Sequence, residues 1–102
     1  MVQDAITIIR QAVSAIEYKQ ALLFGSQARG TADADSDYDI LIIIDGPATQ
    51  IEKSTMKRRI RERIANYLIP IDIIIKTCEE VERQKHICGT IVRNALPEAI
   101  PL

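Results

Sequence analysis

Hydrophobic positions along the chain change period several times, and each change marks an element. Ile6, Ile9, Val13 and Ile16 recur at i, i+3, i+7 and i+10, one face of a packing helix from about Gln3 to Tyr18. Gln20-Ala-Leu-Leu-Phe24 is a short apolar run stopped by Gly25-Ser26, the pattern of a buried strand feeding a tight turn and then a short helical turn. The polar stretch from Gly30 to Ser36 predicts a loop. Asp37-Tyr-Asp-Ile-Leu-Ile-Ile-Ile44 is β-branched and almost wholly apolar beyond Asp39, which predicts a strand covered on both faces and ended by Asp45-Gly-Pro47.

Helical spacing returns from about Thr49 to Leu68, with Met56, Ile60, Ile64 and Leu68 at intervals of four and basic residues on the other sides. Pro70-Ile-Asp-Ile-Ile-Ile75 predicts a third strand, its proline tolerable at the first position. Thr77 and Glu80 have the spacing of a capping box opening a charged helix from Cys78 to about His86. Gly89 breaks that helix, and Thr90 to Leu96 predicts a last short one. The order implies a small α/β domain in two or three layers, with a mixed sheet of at least three strands flanked by helices.

Composition narrows the class without choosing a chemistry. At 102 residues the chain reads as a single domain, 1–102, and 47% hydrophobic with 26% charged residues is the profile of a globular protein. No apolar run approaches the roughly 20 residues a bilayer span needs, and Met-Val-Gln-Asp-Ala carries no basic start of a signal peptide, so the expectation is a cytoplasmic protein off the membrane. A net charge of -1 and four aromatics without Trp argue against direct nucleic-acid binding. Cys78 and Cys88, with His86 between them, match no zinc spacing and read as reduced packing cysteines.

Three carboxylates stand out from this background. Asp72 lies between Ile71 and Ile73-Ile74-Ile75, and burying an ionised carboxylate costs several kcal/mol unless it is paired or holds a metal. Asp37 and Asp39 are two apart at the start of a strand, so their side chains share one face. If the two strands are neighbours, the three converge into an oxygen-ligand set suited to one or two magnesium ions shared with a phosphate substrate. An EF-hand loop counted from Asp33 fails, because Tyr38 falls where glycine is needed and Ile44 where the bidentate glutamate belongs.

Phe24-Gly-Ser-Gln-Ala-Arg-Gly-Thr-Ala-Asp-Ala-Asp-Ser-Asp-Tyr-Asp-Ile40, followed by a lone aspartate in a later apolar strand, resembles the minimal nucleotidyltransferases (MNT) of the DNA polymerase beta superfamily. The resemblance implies a fold like the polymerase beta palm and transfer of a nucleoside monophosphate, AMP from ATP, with loss of pyrophosphate. Asp37 and Asp39 would hold the metal that grips the triphosphate, and Asp72 would complete a second metal site and help deprotonate the acceptor hydroxyl. Gly25 would let the backbone approach the phosphates, Ser26 would offer its hydroxyl and N–H groups, and Arg29 its guanidinium. Gln27 stands where relatives often carry a basic residue, and Pro97 to Leu102 departs from the family pattern.

Free-standing MNT proteins are typically paired with a HEPN-type ribonuclease toxin, and the implied role is that of an antitoxin that adenylylates a toxin tyrosine. Transfer to a small molecule and non-catalytic toxin binding are the alternatives. Lys53 to Arg63 holds six of the thirteen basic residues in eleven positions and is the most visible candidate surface for a partner, an acidic toxin face or RNA, with a solvated helix face as the ordinary reading.

Overall fold

The computed structural model describes residues 4–31 and 36–102. Helix α1 (Ala5–Val13) is capped by Asp4, whose carboxylate accepts from the Thr7 N–H at 2.8 Å. It is shorter than its periodicity suggests: Ser14 closes the helix, and Ile16 enters the core from the turn beyond. Strand β1 (Gln20–Phe24) follows, then the five-residue helix α2 (Gly25–Arg29) and strand β2 (Tyr38–Ile44). The loop aspartates Asp33 and Asp35 lie outside the described residues.

Helix α3 (Gln50–Ile64) opens with a capping box between Thr49 and Glu52 and runs into a 3-10 turn, Ala65–Tyr67. The predicted stripe reaches one position too far. Ile60 and Ile64 are buried, but Leu68 is 89% exposed with φ +54°, because the chain must leave the helix to enter the Ile69-Pro70 step. Strand β3 (Ile71–Thr77), helix α4 (Cys78–Gln84), helix α5 (Ile91–Ala95) and a 3-10 turn, Leu96–Glu98, lead to a two-residue strand β4 (Ile100–Pro101) that no sequence pattern announces.

The sheet order is β3-β2-β1-β4. β2 and β3 are parallel and joined through α3, a βαβ unit, whereas β1 is antiparallel to both β2 and β4. Alternation along the strands divides the core between the two sheet faces. Leu23, Ile40, Ile42, Ile71, Ile73 and Ile75 pack with α1 and α3, while Leu22, Phe24, Leu41 and Ile43 pack with Val81, Val92 and Ala95 of α4 and α5. The domain is therefore helix, sheet, helix, and β2 is covered on both faces as its composition predicts.

One ionic contact ties the layers together. Lys53, expected on the basic surface of α3, is buried instead, and its Nζ donates to Glu80 Oε1 at 2.6 Å. The same oxygen accepts from the Thr77 N–H at 2.9 Å, so the cap of α4 is also the anchor of α3. Cys88 is exposed rather than packed; Cys78 is partly buried, its thiol 3.3 Å from Asp45 Oδ1.

Burial alone would raise the Glu80 carboxyl, but the hydrogen bonds from Lys53 and Thr77 carry it down to about 2 from 4.5. A carboxyl depressed by folding stabilises the protein above its unfolded value, and that contribution disappears as pH falls from about 4.5 towards about 2. Glu80→Gln, which strands the buried Lys53 ammonium, is expected to lower unfolding free energy by about 1–3 kcal/mol at pH 7. Denaturant midpoints of both proteins measured down the acid range check this: the gap should close towards pH 2, and a constant gap would show that the ion pair is not its source.

Candidate functional site

The antiparallel step from β1 to β2 and the parallel step from β2 to β3 bring three chain segments to one end of the sheet. Phe24, the last residue of β1, is in register with Asp39, and Asp39 is in register with Asp72 on its other side. The Tyr38 N–H donates to the Pro70 carbonyl at 2.9 Å and fixes that alignment at the first residue of β2. Neighbouring strands lie about 4.8 Å apart, so the two aspartates are adjacent on the sheet. They share the Leu41–Ile43 face, and Asp37, two residues earlier, belongs to the same side.

Asp72 is exposed, contrary to the burial its isoleucine neighbours suggest. Strand β3 is an edge strand, and its burial alternates, with Ile71, Ile73 and Ile75 in the core and Asp72 facing out. Asp37 is also exposed and lies just before β2 begins; Asp39 is half-buried between them. Desolvation, then the negative charges of Asp72 and Asp37, push the Asp39 carboxyl above the ordinary aspartate range, with Arg29 opposing them. Asp39 thus feels both neighbouring carboxylates, although no three His, Cys, Asp or Glu side chains among the described residues close into a metal-binding group. Their donor set is all oxygen, which suits a hard divalent cation.

The turn after β1 completes the arrangement. Gly25 has φ +75°, which glycine tolerates without penalty, and a Cβ on it would collide with the Asp39 carboxylate. Glycine here serves both conformation and contact: it lets the start of α2 rest directly on the half-buried aspartate. Ser26 is half-buried in the first turn of α2, and Arg29 is exposed in its last. Gln27 donates from Nε2 to the Ser36 carbonyl at 3.2 Å, so it ties α2 to the chain just ahead of β2. All the residues singled out by sequence, Gly25, Ser26, Arg29, Asp37, Asp39 and Asp72, therefore belong to this one end of the domain.

A residue that sequence reasoning leaves out joins them. The Gly25 N–H donates to Glu98 Oε1 at 3.0 Å, and Arg29 Nη1 donates to Glu98 Oε2 at 2.8 Å. Those bonds hold the Glu98 carboxyl below its usual range, the Arg29 hydrogen bond first and the Gly25 amide next. No local signal marks Glu98, since its partners are 73 and 69 positions away.

A cleft of about 960 Å³ lies at the opposite end of the sheet, lined by residues including Ile44, Asp45, Pro47, Met56 and Arg59. It is larger than anything needed by a phosphate, but it contains neither the glycine turn nor the register-paired aspartates. The chemistry points to the carboxylate end.

Comparison with known proteins agrees with the geometry. The chain matches a crystal structure of a Sulfolobus solfataricus protein that carries a provisional nucleotidyltransferase assignment, with a TM-score of 0.61 and 23% identity over 95% of this chain and 74% of that one. At that identity the likeness is one of fold. No curated protein matches the chain. The nucleotidyltransferase domain family matches residues 6–99, which include the glycine turn, all three aspartates and Glu98, and the chain belongs to that family.

Proposed function

We propose that this nucleotidyltransferase uses magnesium and ATP to place AMP on a hydroxyl of a partner protein, a HEPN-type toxin, and thereby acts as its antitoxin. The observation that carries the transfer chemistry is the Gly25 turn seated on Asp39, with Asp72 in register beside it. Gly25 and Ser26 meet the β and γ phosphates, and Arg29 offsets charge on the departing pyrophosphate. The acceptor oxygen attacks the α-phosphorus, the bond from that phosphorus to the bridging oxygen breaks, pyrophosphate leaves, and Asp72 takes the hydroxyl proton. Asp37, Asp39 and Asp72 would hold magnesium, which would neutralise charge developing on the attacking and leaving oxygens.

A macromolecular acceptor suits the exposure of the site. Asp37 and Asp72 face solvent, and β3 is an edge strand, so a tyrosine presented on another protein's surface can reach them without entering a closed pocket. The exposed arginines of α3, among them Arg58, Arg59 and Arg63, offer complementary charge to an acidic partner.

The direct test is the intact mass of the neighbouring-gene product after incubation with this protein, magnesium and ATP. A gain of one or more nucleotidyl units is expected, and Asp37→Asn or Asp39→Asn should slow it by about a hundredfold or more, since metal charge stabilisation is worth several kcal/mol. Unchanged rates in both variants would remove the carboxylates from the mechanism. A gain on a small molecule alone would move the acceptor to that class, and a stable complex with no gain would leave occlusion as the mode of neutralisation.

Metal binding has its own readout. An Asp39 carboxyl raised by folding costs stability once it ionises, and the cost grows as pH rises through the folded value. Without divalent cations, Asp39→Asn should therefore melt higher than the native protein at pH 7, with the difference fading in acid. Adding magnesium should raise the melting temperature of the native protein and leave the variant nearly unmoved; equal shifts in both would place the cation elsewhere.

A further inference from the structure

Glu98 stands on the 3-10 turn between α5 and β4, far along the chain from the residues it touches. Its two carboxylate oxygens take the Gly25 N–H and the Arg29 guanidinium together, one donor at each end of α2. These are the donors that the phosphates of a nucleotide would need. The side chain is held in place from behind: β4 pairs with β1 through Leu22–Pro101 and Leu23–Ile100, and the Leu102 N–H donates to the Ala21 carbonyl at 2.9 Å. Glu98 is only 27% exposed, whereas Arg29 is 50% exposed.

We infer that Glu98 is an internal competitor for the triphosphate, a carboxylate that occupies the phosphate donors and must be displaced when metal-bound nucleotide enters. This deepens the proposed function and rests on the reading that Gly25 and Arg29 meet the phosphates. The Gly25 N–H carries one proton and makes one strong hydrogen bond, so Glu98 and a phosphate oxygen cannot both have it. Electrostatics make the exchange selective. With Asp37, Asp39, Asp72 and Glu98 gathered at one end of the sheet, a bare anion meets net negative charge. A triphosphate carrying magnesium brings a cation to the aspartates while its oxygens take over the amide and the guanidinium, so both halves of the exchange occur together. Orthophosphate does not offer that trade and is rejected.

Glu98→Gln tests this, because glutamine keeps the size and an acceptor oxygen but removes the charge. Two measurements are made on the full chain: calorimetric titration with magnesium-ATP, and the position of the Gly25 amide in nitrogen-proton correlation spectra. The expected result is binding about tenfold tighter for Glu98→Gln, the worth of one charge-assisted hydrogen bond. The free Gly25 amide should differ between the two proteins and converge on one position when ATP is bound. Weakened or unchanged binding in the variant, with the native Gly25 amide still shifting on ATP, would overturn the inference and leave the proposed phosphate site intact; Glu98 would then be a residue that positions Arg29. If neither protein bound magnesium-ATP and the amide stayed still in both, the phosphate-site reading itself would fall, and the competitor with it.

Discussion

The pairing register of β2 with its two neighbours is the constraint from which the rest of the site follows. Side chains alternate along a strand, so a slip of one residue would send Asp39 to the opposite face and destroy the match with both Phe24 and Asp72. What prevents the slip is packing. Ile40, Leu41 and Ile42 are fully buried, and the two faces of β2 face different helical layers, so moving the strand would exchange the two packed sets at once. The isoleucine ladder is thus the positioning device for the Asp39 carboxylate.

Charge is gathered at that end of the sheet against its own repulsion. Fold stability comes from the apolar layers and from the Lys53–Glu80 pair, so the domain can carry an unfavourable electrostatic cluster at that end. The only cation among the described groups shown to act on Asp39 is Arg29, and Arg29 is itself engaged by Glu98. Glu98 thereby engages both the positive group and the Gly25 amide at this end of the sheet.

Much of this is legible in the amino-acid sequence, and the failures share one cause. The β1 run, the β2 run, the Thr77–Glu80 cap and the glycine turn are local patterns, and each is found where its spacing puts it. Long-range placement is not written locally. Asp72 sits in an apolar run yet faces solvent because its strand lies at an edge, and strand order is a tertiary fact. Lys53 has the composition of a surface helix position, but a carboxylate already engaged as a cap draws it inward. β4 has two residues, one of them proline, too few for any period to show, and Glu98 is placed by that strand.

The two borders of the sheet have a consequence for how the protein behaves in a crowd. An exposed strand edge offers unpaired backbone groups to any other chain, and long smooth edges invite aggregation. At one border β4 is very short and contains Pro101, which has no N–H to lend. At the other, β3 is seven residues long and would be an open invitation, except that Asp72 and Lys76 interrupt its apolar run. Asp72 therefore has a second occupation: the negative charge that it brings to the candidate site also breaks the apolar border of the sheet, so one carboxylate bears on both how this edge meets other chains and what the site can bind.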